Sequence, residues 1–236
     1  MTTDRCAPDD RRPPFVLITL LLAGAAGFAW IATEVFTSAA SGLDERVGSL
    51  IQRYSTPPMT SAMKAITVLG SAGVAPALVL LALAAIRRPA WRVFAVPVLV
   101  ASSGAGLLDQ LLKHLLPRAR PMPLFGIPPS GLSSFPSGHA LFALSLYGTL
   151  AWLVAARLTC ARGRACVWAG ATVLVLAIGL SRVYLGLHHA TDVIAGFAAG
   201  IGWVSAVLIA ADRGWLPGMG TPAAADDFDR TPVPRQ

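Results

Sequence analysis

The sequence predicts an all-α fold, an integral membrane helical bundle with about six transmembrane helices. Three observations lead there. The 236 residues are 55% hydrophobic and only 13% charged, where a soluble domain carries about 25% charged residues. Apolar runs near the bilayer-crossing length of about 20 residues recur along the chain. Basic residues fall in small groups between those runs, the pattern that membrane topology imposes. Backbone groups inside hydrocarbon must be paired within the chain, so helices are the expected elements.

The apolar runs lie at 15–36, 66–86, 91–112, 138–157, 165–187 and 191–211. The first follows Arg11 and Arg12 as a secretory leader would. It is too long for a leader's apolar core and more runs follow, so it reads as an uncleaved span. Residues 37–64, with Asp44, Glu45, Arg46, Arg53 and TPPM, are more polar and are expected along the membrane interface. The second and third runs are separated by RRPA, Arg87 to Ala90, a tight basic turn, and Pro97 is placed to kink the third. The tail from Asp212 is rich in Pro, Ala and Asp, a composition that does not fold alone. The expected organisation is a cytoplasmic segment 1–14, a six-span domain 15–211 and a disordered cytoplasmic tail 212–236.

Charge and cysteine usage exclude some functions. The formal charge of +7 is dispersed between spans, which suits membrane topology rather than nucleic acid. Cys6, Cys160 and Cys166 have neither metal-ligand spacing nor a disulfide framework. By span parity, Arg5, Arg11, Arg12, Arg87, Arg88, Arg92, Arg157, Arg162, Arg164 and Arg213 share one side, which should be cytoplasmic. The opposite side holds Arg46, Arg53, Lys64, Lys113, Arg118, Arg120 and Arg182. That is not a small minority, and most of its later members stand beside histidines.

The chain has four histidines, His114, His139, His188 and His189. Lys113 ends the third run, His139 opens the fourth, and Arg182, His188 and Asp192 surround the connection between the last two. Parity puts all of them at one membrane face. Single ionisable residues there serve as interface anchors; this many together indicate a site. Lys113, Arg120 and Arg182 are cations able to hold a multiply charged anion. In FPSGH, Pro136 fits the first helical position. The N–H groups of Ser137, Gly138 and His139 would then point from a helix N-terminus, and Gly138 would admit an anion closely. His188 and Asp192, four residues apart, share a face if that turn is helical. A carboxylate on one imidazole nitrogen leaves the other as a nucleophile, and His139 is free to protonate a leaving oxygen. These parts describe phosphoryl transfer to a histidine. Two histidines and a carboxylate also suit iron or zinc, but three nearby cations oppose a divalent metal and favour phosphate.

KHLLPRARP (Lys113 to Pro121), FPSGH (Phe135 to His139) and SRVYLGLHHATD (Ser181 to Asp192) resemble the three signature motifs of the type 2 phosphatidic acid phosphatase superfamily. Those motifs are K-x6-R-P, P-S-G-H and S-R-x5-H-x3-D, and all are complete and in order. The resemblance extends over roughly 60–210, resting outside the motifs on hydropathy. It implies that Lys113, Arg120 and Arg182 bind phosphate, helped by Ser137 and the amide of Gly138. It implies His188 as the nucleophile that becomes phosphohistidine, His139 as general acid and Asp192 as the residue orienting His188. No metal or other cofactor is implied. His189 falls outside the invariant pattern as a candidate supporting residue, and His114 and Arg118 receive no role. Asp109, four residues before Lys113, is expected to pair with it.

The function implied is a membrane lipid phosphatase acting on a lipid phosphate or diphosphate: phosphatidate, phosphatidylglycerol phosphate or a polyprenyl diphosphate. Its site would face the extracytoplasmic side of the cell membrane. The superfamily's soluble vanadate-dependent haloperoxidases are opposed by the six apolar runs. The alternatives are a phosphotransferase using the same phosphohistidine and a non-catalytic membrane protein or transporter. The loop Met122 to Ser134 is Gly- and Pro-rich yet partly apolar, either a lateral entry for a lipid tail or a plain connector.

Overall fold

The computed structural model describes residues 14–37, 41–71, 74, 77, 80, 81, 84, 85, 87, 89–122, 124–128, 131 and 133–216. Seven helices have both ends among the described residues: α1 (Pro14–Phe36), α2 (Ser41–Tyr54), α3 (Pro57–Val68), α4 (Pro89–Leu115), α5 (Gly138–Ala155), α6 (Ala161–Tyr184) and α7 (Ala190–Asp212). Among the described residues, five stretches are long and apolar enough to cross a membrane: Phe15–Phe36, Phe94–Leu115, Gly138–Ala155, Ala161–Tyr184 and Ala190–Asp212. The all-α expectation holds. The expected terminal segments fall largely outside the described residues, at 1–13 and 217–236.

The expected span at 66–86 needs correction at its start. Residue 66 lies inside α3, which Pro57 opens at a position where a missing N–H is harmless. That helix closes in a turn with Leu69 N donating to Ile66 O at 3.1 Å and Ser71 N to Val68 O at 3.0 Å. Beyond it, the described residues 74, 77, 80, 81, 84 and 85 are helical and the rest of that span lies outside the described residues. The polar connection at 37–64 holds α2 and much of α3. In α2, Asp44 in the first turn and Arg53 in the last complement the helix dipole.

Several hydroxyls inside the spans are satisfied by their own helix, as hydrocarbon favours. Thr19 Oγ1 donates to Phe15 O at 2.8 Å and Thr33 Oγ1 to Ala29 O at 2.9 Å. Helix α5 is central and packs against α4, α6 and α7, burying Leu141, Ala143 and Leu146 completely. Helix α1 lies along α7. The contact is so close that a Cβ on Gly24 would come within 2.6 Å of Gly202 N, a small-residue crossing that lets two backbones meet. Trp203 of α7 ties across to α4, its indole N–H donating to Ala101 O at 2.9 Å. This packing gathers the C-terminal ends of α4 and α6 and the N-terminal ends of α5 and α7 into one region.

Candidate active site

Helix α5 begins at Gly138 with Ser137 as its cap residue. Pro136 therefore precedes the cap and does not occupy the first helical position. The Ser137 N–H is not open either, because it donates to the Asp192 carbonyl at 2.9 Å. Tertiary packing sets this start: a Cβ on Gly196 of α7 would lie 2.6 Å from the Ser137 carbonyl. Gly138 and His139 remain as amides in the first turn, where helices lack internal acceptors. The Ser137 hydroxyl is buried without a hydrogen-bond partner among the described residues.

Beside this turn is a cavity of about 940 Å³ lined by Lys113, Arg118, Arg120, Gly138 and His139, with His114 on its wall. Lys113 Nζ donates to Asp109 Oδ2 at 2.7 Å, the expected pairing of residues one helical turn apart. Arg120 is fixed from both ends, Nε donating to Gly131 O at 3.0 Å and Nη1 to Leu187 O at 2.9 Å. Arg182 is buried, with Nη1 on Thr67 Oγ1 at 2.8 Å and Nε lacking a partner among the described residues. His139 is within Coulombic reach of Arg182, His188, Lys113 and Arg120. The eight residues singled out in sequence thus converge at one end of the bundle.

Asp109 has a further neighbour. A Cβ on Gly138 would come within 2.7 to 2.8 Å of its carboxylate atoms. Gly138→Ala should therefore lower turnover by pushing the tethered carboxylate and the first turn apart. Adding Asp109→Ala should restore part of the loss, and steady-state kinetics on the single and double variants reads the rescue.

His188 precedes α7 in a turn, so it and Asp192 do not share a helix face. Its Nδ1 lies 2.8 Å from the Ser134 carbonyl. A carbonyl only accepts, so Nδ1 carries the proton and Nε2 keeps its lone pair. Nε2 faces Arg120 Nη1 at 3.5 Å. Asp192 Oδ2 stands 3.6 Å from Nδ1, behind the Ser134 contact rather than in its place. The same oxygen accepts the His189 N–H at 2.9 Å, so Asp192 also caps its own helix.

Burial drives the His188 pKa down to about 4; Asp192 opposes this and the Arg182 and Arg120 charges reinforce it. The ring is protonated only below that value, so Nε2 keeps its lone pair through mild acid. The acid limb of kcat/KM should fall near pH 4 and not near the ordinary histidine value of about 6.5. A pH profile corrected for the substrate's own ionisation at about pH 6 checks this.

Sequence reasoning missed three contacts: the Ser134 carbonyl on His188, Thr67 on Arg182, and Asp44 with Thr191 around Arg118. Each joins positions far apart in the chain.

Residues 91–215, which contain all three motifs, match the model of the PAP2 superfamily. The chain belongs to this family. A PAP2 relative, phosphatidylglycerophosphatase B of Bacillus subtilis, is 30% identical over 179 residues, covering 74% of this chain and 86% of the relative. Lipid A 1-phosphatase of Rhizobium etli is 34% identical over 114 residues, which is 43% of either chain. The crystal structure of a transmembrane PAP2-type phosphatidylglycerolphosphate phosphatase from Bacillus subtilis superposes with a TM-score of 0.69 at 25% identity, covering 94% of this chain and 98% of that one. Aquifex aeolicus LpxE shares the fold, with a TM-score of 0.55 at 22% identity over 70% of this chain and 94% of that one. The chain is a multi-pass PAP2 membrane protein, a lipid phosphatase that hydrolyses phosphoester bonds.

Proposed function

We propose that this PAP2 phosphatase hydrolyses the phosphate monoester of a glycerophospholipid, phosphatidylglycerol phosphate foremost, through a phosphohistidine at His188. The observation that carries the mechanism is the orientation of His188: Nδ1 is committed to Ser134 while Nε2 faces the Arg120 guanidinium. The substrate choice follows the relative matched over most of both chains.

In this reading Lys113, Arg120 and Arg182, with the Ser137 hydroxyl and the Gly138 amide, hold the phosphate oxygens and stabilise their charge. His188 Nε2 attacks phosphorus in line with the bond to the lipid oxygen. That bond breaks, and His139 donates a proton to the leaving alkoxide. Water then attacks the phosphohistidine, His139 takes its proton, and orthophosphate leaves with His188 regenerated. Charge on the transferring group is met by side-chain cations, and among the described residues no three His, Cys, Asp or Glu converge as metal ligands.

Phosphate release from phosphatidylglycerol phosphate, phosphatidate and polyprenyl diphosphate in detergent tests the substrate. Phosphatidylglycerol phosphate should give the highest kcat/KM, and a clear preference for the diphosphate overturns this choice. Activity should persist in EDTA and be inhibited by vanadate; loss in EDTA restored by zinc or iron returns the metal reading.

The site is proposed to face the extracytoplasmic side. Cys160 and Cys166 are exposed in the α5–α6 connection and the start of α6, on the opposite side by parity. Backbone amides of Gly163 and Arg162 draw the Cys160 thiol pKa down, which favours its reaction as thiolate. An impermeant thiol reagent outside intact cells should label an introduced Met122→Cys, which is 86% exposed, and leave Cys160 and Cys166 unlabelled. The reverse pattern inverts the orientation.

A further inference from the structure

Arg118 lies in the first motif, between Lys113 and Arg120, at a position the motif leaves open. A guanidinium on the wall of a phosphate cavity would ordinarily be taken for another phosphate ligand. Its hydrogen bonds point elsewhere. Nη1 donates to Asp192 Oδ1 and to Thr191 Oγ1, the latter at 2.9 Å. Nη2 donates to Asp44 Oδ2 at 2.8 Å. Asp44 is buried although it sits on α2, and it accepts from Thr191 twice, from the amide at 3.0 Å and from the hydroxyl at 2.7 Å. The fork of Arg118 thus bridges two buried carboxylates contributed by helices 148 residues apart in sequence, Asp44 and Asp192. A lysine, with one point charge and no planar fork, does not reproduce that bridge.

We propose that Arg118, braced by Asp44 and Thr191, is a positioning residue that holds Asp192 and, through it, His188. The inference rests on the reading of His188 as nucleophile. Asp192 has two oxygens and two tasks. Oδ2 caps His189 and faces His188 Nδ1, while Oδ1 is held by Arg118. Without Arg118, Oδ1 loses its cation and the carboxylate can pivot about its Oδ2 bond to the His189 N–H, away from the imidazole. The Ser134 carbonyl then remains as the partner of Nδ1 and carries no charge to stabilise the ring as it gains positive character during attack. Asp44 acts one step further out, orienting the Arg118 fork and anchoring α2 against the start of α7. A polar strut therefore runs from the α2 helix to the nucleophile. Partners that orient a reacting group in this way are typically worth about 10- to 100-fold in activity.

The test uses the purified full chain in detergent with phosphatidate, and vanadate as a probe of the phosphate site. Arg118→Lys and Arg118→Met should lower kcat by about 10- to 100-fold while KM and vanadate inhibition change little. Asp44→Asn, nearly isosteric and still an acceptor, should lower kcat less. The deciding measurement is non-additivity: in an Asp192→Asn background, Arg118→Met should cost almost nothing more, because residues acting as a unit do not add. Thermal unfolding of each variant, with comparison at temperatures where it is folded, separates this from loss of fold. Independent, additive losses overturn the proposal, as does a rise in KM and vanadate inhibition constant that marks Arg118 as a direct phosphate ligand. Full activity of both Arg118 variants overturns it as well. A His188→Ala control identifies the other failure: retained turnover there rejects the nucleophile assignment itself, whatever Arg118 does.

Discussion

His188→Ala should abolish phosphate release from every ester, whereas the loss in His139→Ala should depend on the leaving group. In the proposed mechanism His188 makes the covalent bond, and no other described imidazole has its Nδ1 committed to a carbonyl and its Nε2 turned to Arg120. His139 lines the cavity at the first turn of α5, and in that mechanism it supplies only a proton. General acid catalysis is worth about 10²- to 10⁴-fold when the departing oxygen is a poor leaving group. A lipid alkoxide needs that proton, while nitrophenolate leaves as a stable anion. His139→Ala should lose the larger fraction on phosphatidate and the smaller on nitrophenyl phosphate. Asp192→Asn should be impaired on both, because it acts through His188. Pre-steady-state bursts establish that chemistry limits both reactions. Equal fractional losses for His139→Ala and His188→Ala on the two esters would sink the division of roles.

Removing the Arg182 guanidinium should cost about 10²- to 10³-fold in kcat, the usual scale for a donor aimed at transition-state charge. Arg182 is 5% exposed. Thr67 fixes one end of its fork, and Nε has no partner among the described residues. A buried cation whose donor is left open is expensive, and an anion in the site relieves that cost. Vanadate should therefore raise the Tm of the wild-type protein as a ligand of the folded state. In Arg182→Gln the rise should shrink together with kcat. Arg182→Lys should recover little, because its ammonium cannot use the Thr67 contact and reach the anion as a fork does. An unchanged kcat in Arg182→Gln, in a folded protein, would remove this residue from the site.

Much of this was legible in the sequence because it depends on local spacing. The apolar runs reach bilayer length, and among the described residues five of the six read by counting are helices long and apolar enough to cross a membrane. Asp109 and Lys113 pair because one helical turn separates them. The eight motif residues fall at span ends, so parity alone brings them to one face. What could not be read depends on contacts between distant segments. Ser134 reaches His188 by its backbone, which carries no residue-type signal. Asp44 and Thr67 sit on α2 and α3, where an acid or a hydroxyl ordinarily faces water. Pro136 reads as a first helical residue, yet α7 captures the Ser137 amide and delays the helix by two positions. The start of the second apolar run was misplaced for a simpler reason: hydropathy continues through the turn at Leu69–Ser71, which hydrogen bonding interrupts.

The pairing of α1 with α7 bears on how the molecule is made. Both are apolar spans, and Gly24 meets Gly202 with 177 residues of chain between them. During synthesis the amino-terminal helix enters the bilayer long before its partner exists. Closure of this contact must wait for α7, and contacts this distant in sequence slow folding through their loop-closure cost. The turn bearing His188 immediately precedes that span, and Asp192 lies in its first turn. The Asp192 side chain is therefore set beside His188 only once α7 is in place. A chain interrupted before α7 would hold Lys113 and Arg120 without Asp192 beside His188, so the proposed phosphohistidine chemistry stays silent until α7 docks.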